Sequence, residues 1–212
     1  MKAVFTCGGT GGHINPALAV ARVLLERRPD SEILFVGAED GMEATLVPRE
    51  GFRLETLQIS SYMRSLKPSA IRHNVRAALS IRRALKKADR IIRDFQPDVI
   101  LGTGGYASYP MLHEGPRLGI PTAVHESNAV PGLATKMVAD KVDRILVSFA
   151  DSRSAYRDPS RVIAVGMPVR EEFVFPRRAD ARRALGLDEK TPMIVSAWGS
   201  LGAREMNKKI AQ

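Results

Sequence analysis

Short apolar runs alternate with longer amphipathic stretches along most of the chain. Ala3 to Thr6, Ile33 to Val36, Val99 to Leu101, Thr122 to Val124, Arg144 to Val147 and Val162 to Val165 read as strands. Helical patterns lie between several of them. Strands alternating with helices predict a parallel sheet covered on both faces, hence an α/β fold. Asn15 followed by Pro16 and by Leu18, Val20, Ala21, Leu24 and Leu25 predicts a first helix capped at Asn15 and ending near Arg28 and Pro29. A longer helix is predicted from Ser69 to Phe95, with Ile71, Val75, Leu79, Leu85, Ile92 and Phe95 near one stripe and Pro97 closing it.

The pattern breaks at Met167 to Arg178, MPVREEFVFPRR, where two prolines and the loss of periodicity indicate a linker. Beyond it, a helix begins at Asp180 to Leu185, a strand at Met193 to Ala197, and a further helix runs towards Gln212. The organisation expected is a first domain over 1–166, a linker over 167–178 and the incomplete start of a second domain over 179–212. On this reading 212 residues are too few for a complete two-domain protein. A content of 44% hydrophobic and 26% charged residues sets the chain apart from disordered and fibrous proteins.

Charge changes the picture at one place. The net charge is +9, and the segment Arg64 to Arg93 holds ten Lys and Arg against one acid, Asp89, while the rest balances at 22 against 22. One surface therefore faces an anionic partner. Tyr62, Met63, Leu66 and Ile71 are interleaved with Arg64, Lys67 and Arg72 there, a mixture suited to an anionic lipid surface, with Arg64, Leu66, Lys67, Ile71 and Arg72 as the contact residues. Nucleic acid is disfavoured, because the segment has no recognised binding motif and few aromatics for stacking. A single cysteine, Cys7, rules out an internal disulfide framework and a multi-cysteine metal site, and fits a reducing compartment.

Three glycine-rich turns follow apolar runs: Gly8-Gly9-Thr10-Gly11-Gly12-His13, Gly102-Thr103-Gly104-Gly105-Tyr106 and Gly199-Ser200-Leu201-Gly202-Ala203. Such turns bring backbone close to a ligand at the carboxyl ends of parallel strands, and helix N-termini beside them attract anions. A dinucleotide fingerprint needs a third glycine where Ile14 stands, and no Gly-Lys-Ser/Thr occurs anywhere, so nicotinamide and ATP chemistry rank low.

GGTGGHINPALAVA at Gly8 to Ala21, GTGGYASYP at Gly102 to Pro110, HESNAVPGLATK at His125 to Lys136 and GSLGAREMN at Gly199 to Asn207 follow one another in an order that resembles the MurG family. The resemblance spans essentially the whole chain and departs from the family pattern at Ser127, Met167, Trp198 and Leu201. It implies a GT-B fold of two Rossmann-like domains. It also implies an inverting transfer of N-acetylglucosamine from UDP-GlcNAc to lipid I, giving lipid II for peptidoglycan, with no metal or other cofactor required.

By that resemblance Thr10, Gly11, Gly12, Asn128, Arg170 and Ser200 contact UDP-GlcNAc, Gly104, Gly105, Tyr106 and Asn207 are further substrate-binding positions, and His13 and Glu126 carry the chemistry. His13 suits a general base because a neutral imidazole accepts a proton near neutral pH. Glu126 is the competing base or the group that orients the acceptor. The implied setting is the cytoplasmic face of a bacterial membrane, with peripheral attachment and cell-wall synthesis proteins as further partners. Two rivals stay open: another GT-B transferase with a lipid acceptor, and a non-catalytic acceptor-binding subunit that needs a separate donor-binding chain.

Overall fold

The computed structural model describes residues 1–60, 68–174, 177–195 and 204–210, with backbone alone at 68–76, 78–79, 172 and 204–205. The chain divides into two compact units, Met1–Pro168 and Val169–Gln212.

The first unit is a seven-stranded parallel sheet: β1 (Lys2–Thr6), β2 (Glu32–Ala38), β3 (Arg53–Leu57), β4 (Val99–Gly102), β5 (Thr122–Glu126), β6 (Arg144–Val147) and β7 (Val162–Ala164), in spatial order β3-β2-β1-β4-β5-β6-β7. All six predicted strands are present. The helices are α1 (Gly11–Arg27), α2 (Glu43–Arg49), α3 (Pro68–Phe95), α4 (Tyr109–Arg117) and α5 (Leu133–Val138).

Strand β1 shows why both faces must be covered. Its alternate residues Ala3 and Phe5, with Cys7 beyond, join Ile14, Ala17, Leu18 and Ala21 of α1 and Phe35 and Val47 in one core. Val4 points the other way, into a core with Leu34, Val36, Ile100, Val124 and Ile145 and with Ala84, Ala88, Ile91 and Ile92 of α3. A period of two with apolar residues on both sides is the signature of a buried parallel strand.

β3 escaped the sequence pattern because it is an edge strand. Its Leu54 and Leu57 reach the two cores, while Arg53 and Glu55 lie at the solvated border, as edge strands require. The predicted cap of α1 at Asn15 is wrong: the cap lies five residues earlier, at Thr10, and the helix starts at Gly11. His13 N and Ile14 N both donate to the Thr10 carbonyl, so the first turn closes on Thr10, which is the extended N-cap residue. Pro16 is thus inside the helix; the carbonyl its ring leaves unbonded belongs to the exposed Gly12, where water can satisfy it. At the other end of α3, Gln96 takes the left-handed conformation, φ 53°, and its N–H bonds the Ile92 carbonyl, stopping the helix just before Pro97.

The order of strands places the site. From β1 the chain moves outward through β2 and β3, then returns across the sheet to β4 on the other side of β1. The ends of β1 and β4 are therefore the topological switch point, where an open parallel sheet leaves a crevice for ligands. The first two glycine turns leave exactly those two strand ends.

The second unit contains a 3-10 turn (Glu171–Phe173), α6 (Arg178–Ala184) and α7 (Arg204–Ile210). Arg182 is buried and donates from its guanidinium to the Asp188 and Thr191 carbonyls, while Asp188 accepts from the N–H groups of Lys190 and Thr191. Of the strand expected at Met193 to Ala197, residues 193–195 have no regular structure, and Ile194 and Val195 are exposed. Among the described residues there is no neighbouring strand in this unit to supply the ladder bonds that an extended segment needs.

Candidate functional site

The two glycine turns are built into one another. A Cβ on Gly105, φ 81°, would stand 2.0 Å from the Gly8 carbonyl oxygen, and one on Gly8 would stand 2.6 Å from Ala107 Cβ. Both positions therefore need glycine. The backbones touch, and two hydrogen bonds lock them: Thr103 Oγ1 donates to the His13 carbonyl at 2.6 Å, and His13 Nδ1 lies 3.1 Å from the Thr103 carbonyl.

The second of these bonds fixes the chemistry of His13. A carbonyl can only accept, so Nδ1 must carry the proton. In the neutral imidazole the lone pair is then on Nε2, which has no hydrogen-bond partner among the described residues. Gly104, φ 101°, completes the seat, since a Cβ there would be 2.7 Å from His13 Nδ1.

His13, Gly104, Gly105, Tyr106, Glu126 and Asn128 line a single cavity of about 260 Å³. The structure thus brings together six of the residues predicted from sequence. Thr10, Gly11 and Gly12 are not in its lining; they form the N-terminal approach of α1 beside it. Arg170 and Asn207 belong to the second unit, where Arg170 lies 5.1 Å from the Phe173 ring and Asn207 is an exposed residue of α7. Ser200 is outside the described residues, with the rest of the third glycine turn. So are Arg64, Leu66 and Lys67; Ile71 and Arg72 are on α3, with their side chains likewise outside the description.

Glu126, the last residue of β5, is 2% exposed. Its Oε1 accepts from Asn128 N at 2.9 Å and Asn128 Nδ2 at 2.7 Å, and its Oε2 accepts from Gly132 N at 2.9 Å. Burial pushes this carboxyl up, but hydrogen bonds from Thr135, Asn128 and Gly132 outweigh it and hold the group below the ordinary glutamate value. The result is a fixed carboxylate that pins the loop between β5 and α5. Asn128, with one N–H of its amide bonded to Glu126, offers its side-chain oxygen and its second N–H to a ligand. Tyr106 is held as a phenol by burial and by the charges of Glu43 and Asp40. His125 faces away from Glu126, is 1% exposed, and donates from Nε2 to the Gly166 carbonyl at 3.0 Å; burial lowers its pKa.

Sequence reasoning missed the apolar wall of the cavity, made by Ile59, Ile81, Tyr109, Leu133 and Met137. Tyr109, Leu133 and Thr135 fall inside the motifs that were singled out, but nothing in spacing alone says which motif residues turn inward. Ile59 and Ile81 come from β3's exit and from α3, and only the fold brings them in. Among the described residues no group of three His, Cys, Asp or Glu is placed to hold a metal ion.

Residues 3–147 match the model of the glycosyltransferase family 28 N-terminal domain. The chain is 40% identical over its whole length to the UDP-N-acetylglucosamine–N-acetylmuramyl-(pentapeptide) pyrophosphoryl-undecaprenol N-acetylglucosamine transferase of Acetivibrio thermocellus, and covers 56% of it. It is 39% identical to the protein of the same name from Caldanaerobacter subterraneus, covering 57%. The chain thus spans just over half the length of these relatives. Among solved structures it resembles MurG of Acinetobacter baumannii, with a TM-score of 0.70 and 24% identity over 99% of this chain and 55% of that one. It also resembles the UDP-GlcNAc 2-epimerase of Methanocaldococcus jannaschii, with a TM-score of 0.57 and 13% identity over 79% of this chain and 46% of that one. These two likenesses establish the fold: an amino-terminal Rossmann-like domain of the GT-B type.

Replacing Glu126 by Gln keeps the shape but removes one acceptor, so either the Gly132 or the Asn128 N–H loses its partner. The expected cost is roughly 1–3 kcal/mol of stability near neutral pH. Because the folded carboxyl is held below its ordinary value, the wild-type advantage is present above about 4.5 and disappears as pH falls through the lower folded value. Urea midpoints of both proteins between about pH 7 and about pH 3 should converge at the acid end. A constant difference across that range would show that Glu126 is not the group responsible.

Proposed function

Because the chain belongs to glycosyltransferase family 28, we propose that it supplies the acceptor-side half of an inverting transferase. That enzyme moves N-acetylglucosamine from UDP-GlcNAc to the lipid-linked MurNAc-pentapeptide, lipid I, and forms lipid II for peptidoglycan. The observation that carries the proposal is the His13 imidazole, seated through Nδ1 by the Thr103 carbonyl and by Gly104, and lining the cavity that Tyr106, Glu126 and Asn128 share.

In the proposed step Nε2 of His13 takes the proton of the acceptor hydroxyl as that oxygen attacks the anomeric carbon of the donor sugar. The new C–O bond forms on the face opposite the bond to UDP, which breaks with its electron pair leaving on the diphosphate. Configuration is thereby inverted. Proton acceptance by a positioned base contributes about 10² to 10⁴ in rate. Glu126 suits a different task from proton transfer: its carboxylate bonds hold the loop that presents Asn128 and the start of α5, so it acts as a positioning residue for the acceptor. Tyr106 has a phenol to donate, and the apolar wall from Ile59 to Met137 keeps water from competing. We assign Arg170, Ser200 and Asn207 to donor binding, a guanidinium being suited to the charge of a diphosphate.

We further propose that the protein works at the cytoplasmic face of the membrane, held there reversibly. No helix among the described residues is long and apolar enough to cross a membrane. Arg82, Arg83, Lys86, Lys87 and Arg90, five of the ten cations in the basic segment from Arg64 to Arg93, lie exposed on α3 and pair with no carboxylate among the described residues. Near anionic lipid each such cation contributes about 1 kcal/mol, so a few suffice for attachment.

In the complete enzyme, His13→Ala should leave the fold intact and lower turnover by about 10² or more. Turnover within about threefold of wild type would remove His13 from the role of base. Separately, replacing Arg64, Lys67 and Arg72 by Gln should weaken binding to vesicles containing anionic lipid, and added salt should weaken wild-type binding. Equal sedimentation of both proteins with neutral and anionic vesicles would overturn the electrostatic attachment.

A further inference from the structure

His125 is buried on β5, one residue before Glu126, and takes no part in the chemistry assigned above. Burial pushes its pKa below the ordinary histidine value, so near neutral pH the ring is uncharged and has a single proton to place. The surroundings decide where. Nε2 lies 3.0 Å from the Gly166 carbonyl oxygen, which can only accept, and Nδ1 is buried with no partner among the described residues. The proton is therefore on Nε2, with Ser148 Oγ as a second, longer contact at 3.4 Å. In the sheet order β5-β6-β7 this bond reaches past β6 to the chain just beyond β7.

What it holds there is the pivot of the exit from the sheet. Val165 is still tied to the sheet, since its N–H bonds the Val147 carbonyl. Pro168 has its φ fixed by its ring, and Met167 before it is confined to extended backbone. Between that ladder bond and the stiff pair stands Gly166 alone, left-handed at φ 76°, where an added Cβ would meet nothing within 4 Å. A glycine in open space can swing through a wide range of backbone angles, and packing against a side chain does nothing to stop it. The bond from His125 supplies the restraint.

We propose that His125 is a positioning residue: its Nε2–H latches Gly166 and so fixes the direction in which the chain leaves the acceptor-side sheet towards Arg170. Arg170 comes two residues after Pro168, so a rotation at Gly166 carries it along. One strand thereby serves both halves of the reaction. Glu126 sets the loop that presents Asn128, and His125, on the opposite face, sets the departure of the segment assigned to the donor. The consequence in turnover rests on the acceptor-side reading above; the latch itself does not.

Gln and Met separate the alternatives, being close in length, with one able to donate from its side chain and the other not. In the ¹⁵N-labelled 212-residue chain, backbone order parameters at Gly166 and Met167 should stay near about 0.85 in wild type and His125→Gln, and fall below about 0.6 in His125→Met. In the complete enzyme His125→Met should raise KM for UDP-GlcNAc at least about fivefold and leave the acceptor KM within about twofold, while His125→Gln restores the donor value. A residue that only fills the core would give the two variants the same order parameters and the same donor KM, and either equality overturns the proposal. So would imidazole ¹⁵N shifts showing wild-type His125 protonated on Nδ1, a measurement that needs no variant to fold. A complete enzyme without UDP-GlcNAc activity would overturn the acceptor-side reading instead, and the order parameters would still judge the latch.

Discussion

The site depends on the pair of hydrogen bonds between His13 and Thr103. They join the turn after β1 to the turn after β4, two segments ninety residues apart that meet only because the parallel sheet reverses its winding between those strands. Each bond contributes a modest net 0.5–1.5 kcal/mol or so to stability, so their importance is not mainly energetic. They orient the imidazole, select its tautomer and hold two glycine turns at backbone contact. The glycines follow from that closeness: at Gly105 even a methyl group would overlap the Gly8 carbonyl.

A second anchor works beside the first by a different device. Glu126 and Glu43 are both buried acidic side chains at the carboxyl edge of the sheet, and among the described residues each is bonded by backbone N–H groups and by no cation. Desolvation of a charge is costly, and such groups persist only where their hydrogen bonds are complete. Each therefore fixes the loop it bonds: Glu126 the segment that carries Asn128 and Gly132, Glu43 the turn that leads to His13. Pre-set loops of this kind keep the cavity in shape before any substrate arrives, which is what alignment of reactants requires.

Much of this was legible in the chain. The six strands with continuous apolar character were readable because both faces of a parallel sheet are buried, and the glycine turns announced the ligand edge. What stayed hidden has identifiable causes. β3 carries Arg53 and Glu55 because it is an edge strand, and so lacks the apolar run that marked the others. The start of α1 was misplaced because Asn15-Pro16 imitates a cap, whereas the true first turn, Gly11 to His13, has no apolar residue to show periodicity. The burial of Glu43 has no sign in the local sequence, because it is decided by Gly8, Gly37 and Gly41, which surround it only in space. The apolar wall contributed by Ile59 and Ile81 depends on α3 crossing over the sheet, which no local pattern encodes.

The account turns on which nitrogen of His13 is basic. If the Thr103 carbonyl holds the Nδ1 proton, Nε2 is left to take a proton from a substrate hydroxyl; if the proton sits on Nε2, the residue is a hydrogen-bond donor to the cavity and no base. Imidazole ¹⁵N chemical shifts of the labelled chain, assigned by comparison with His13→Gln, measure this directly. The neutral form of His13 should show Nδ1 protonated and Nε2 bare, whereas a neutral His13 protonated on Nε2 would contradict the account at its centre.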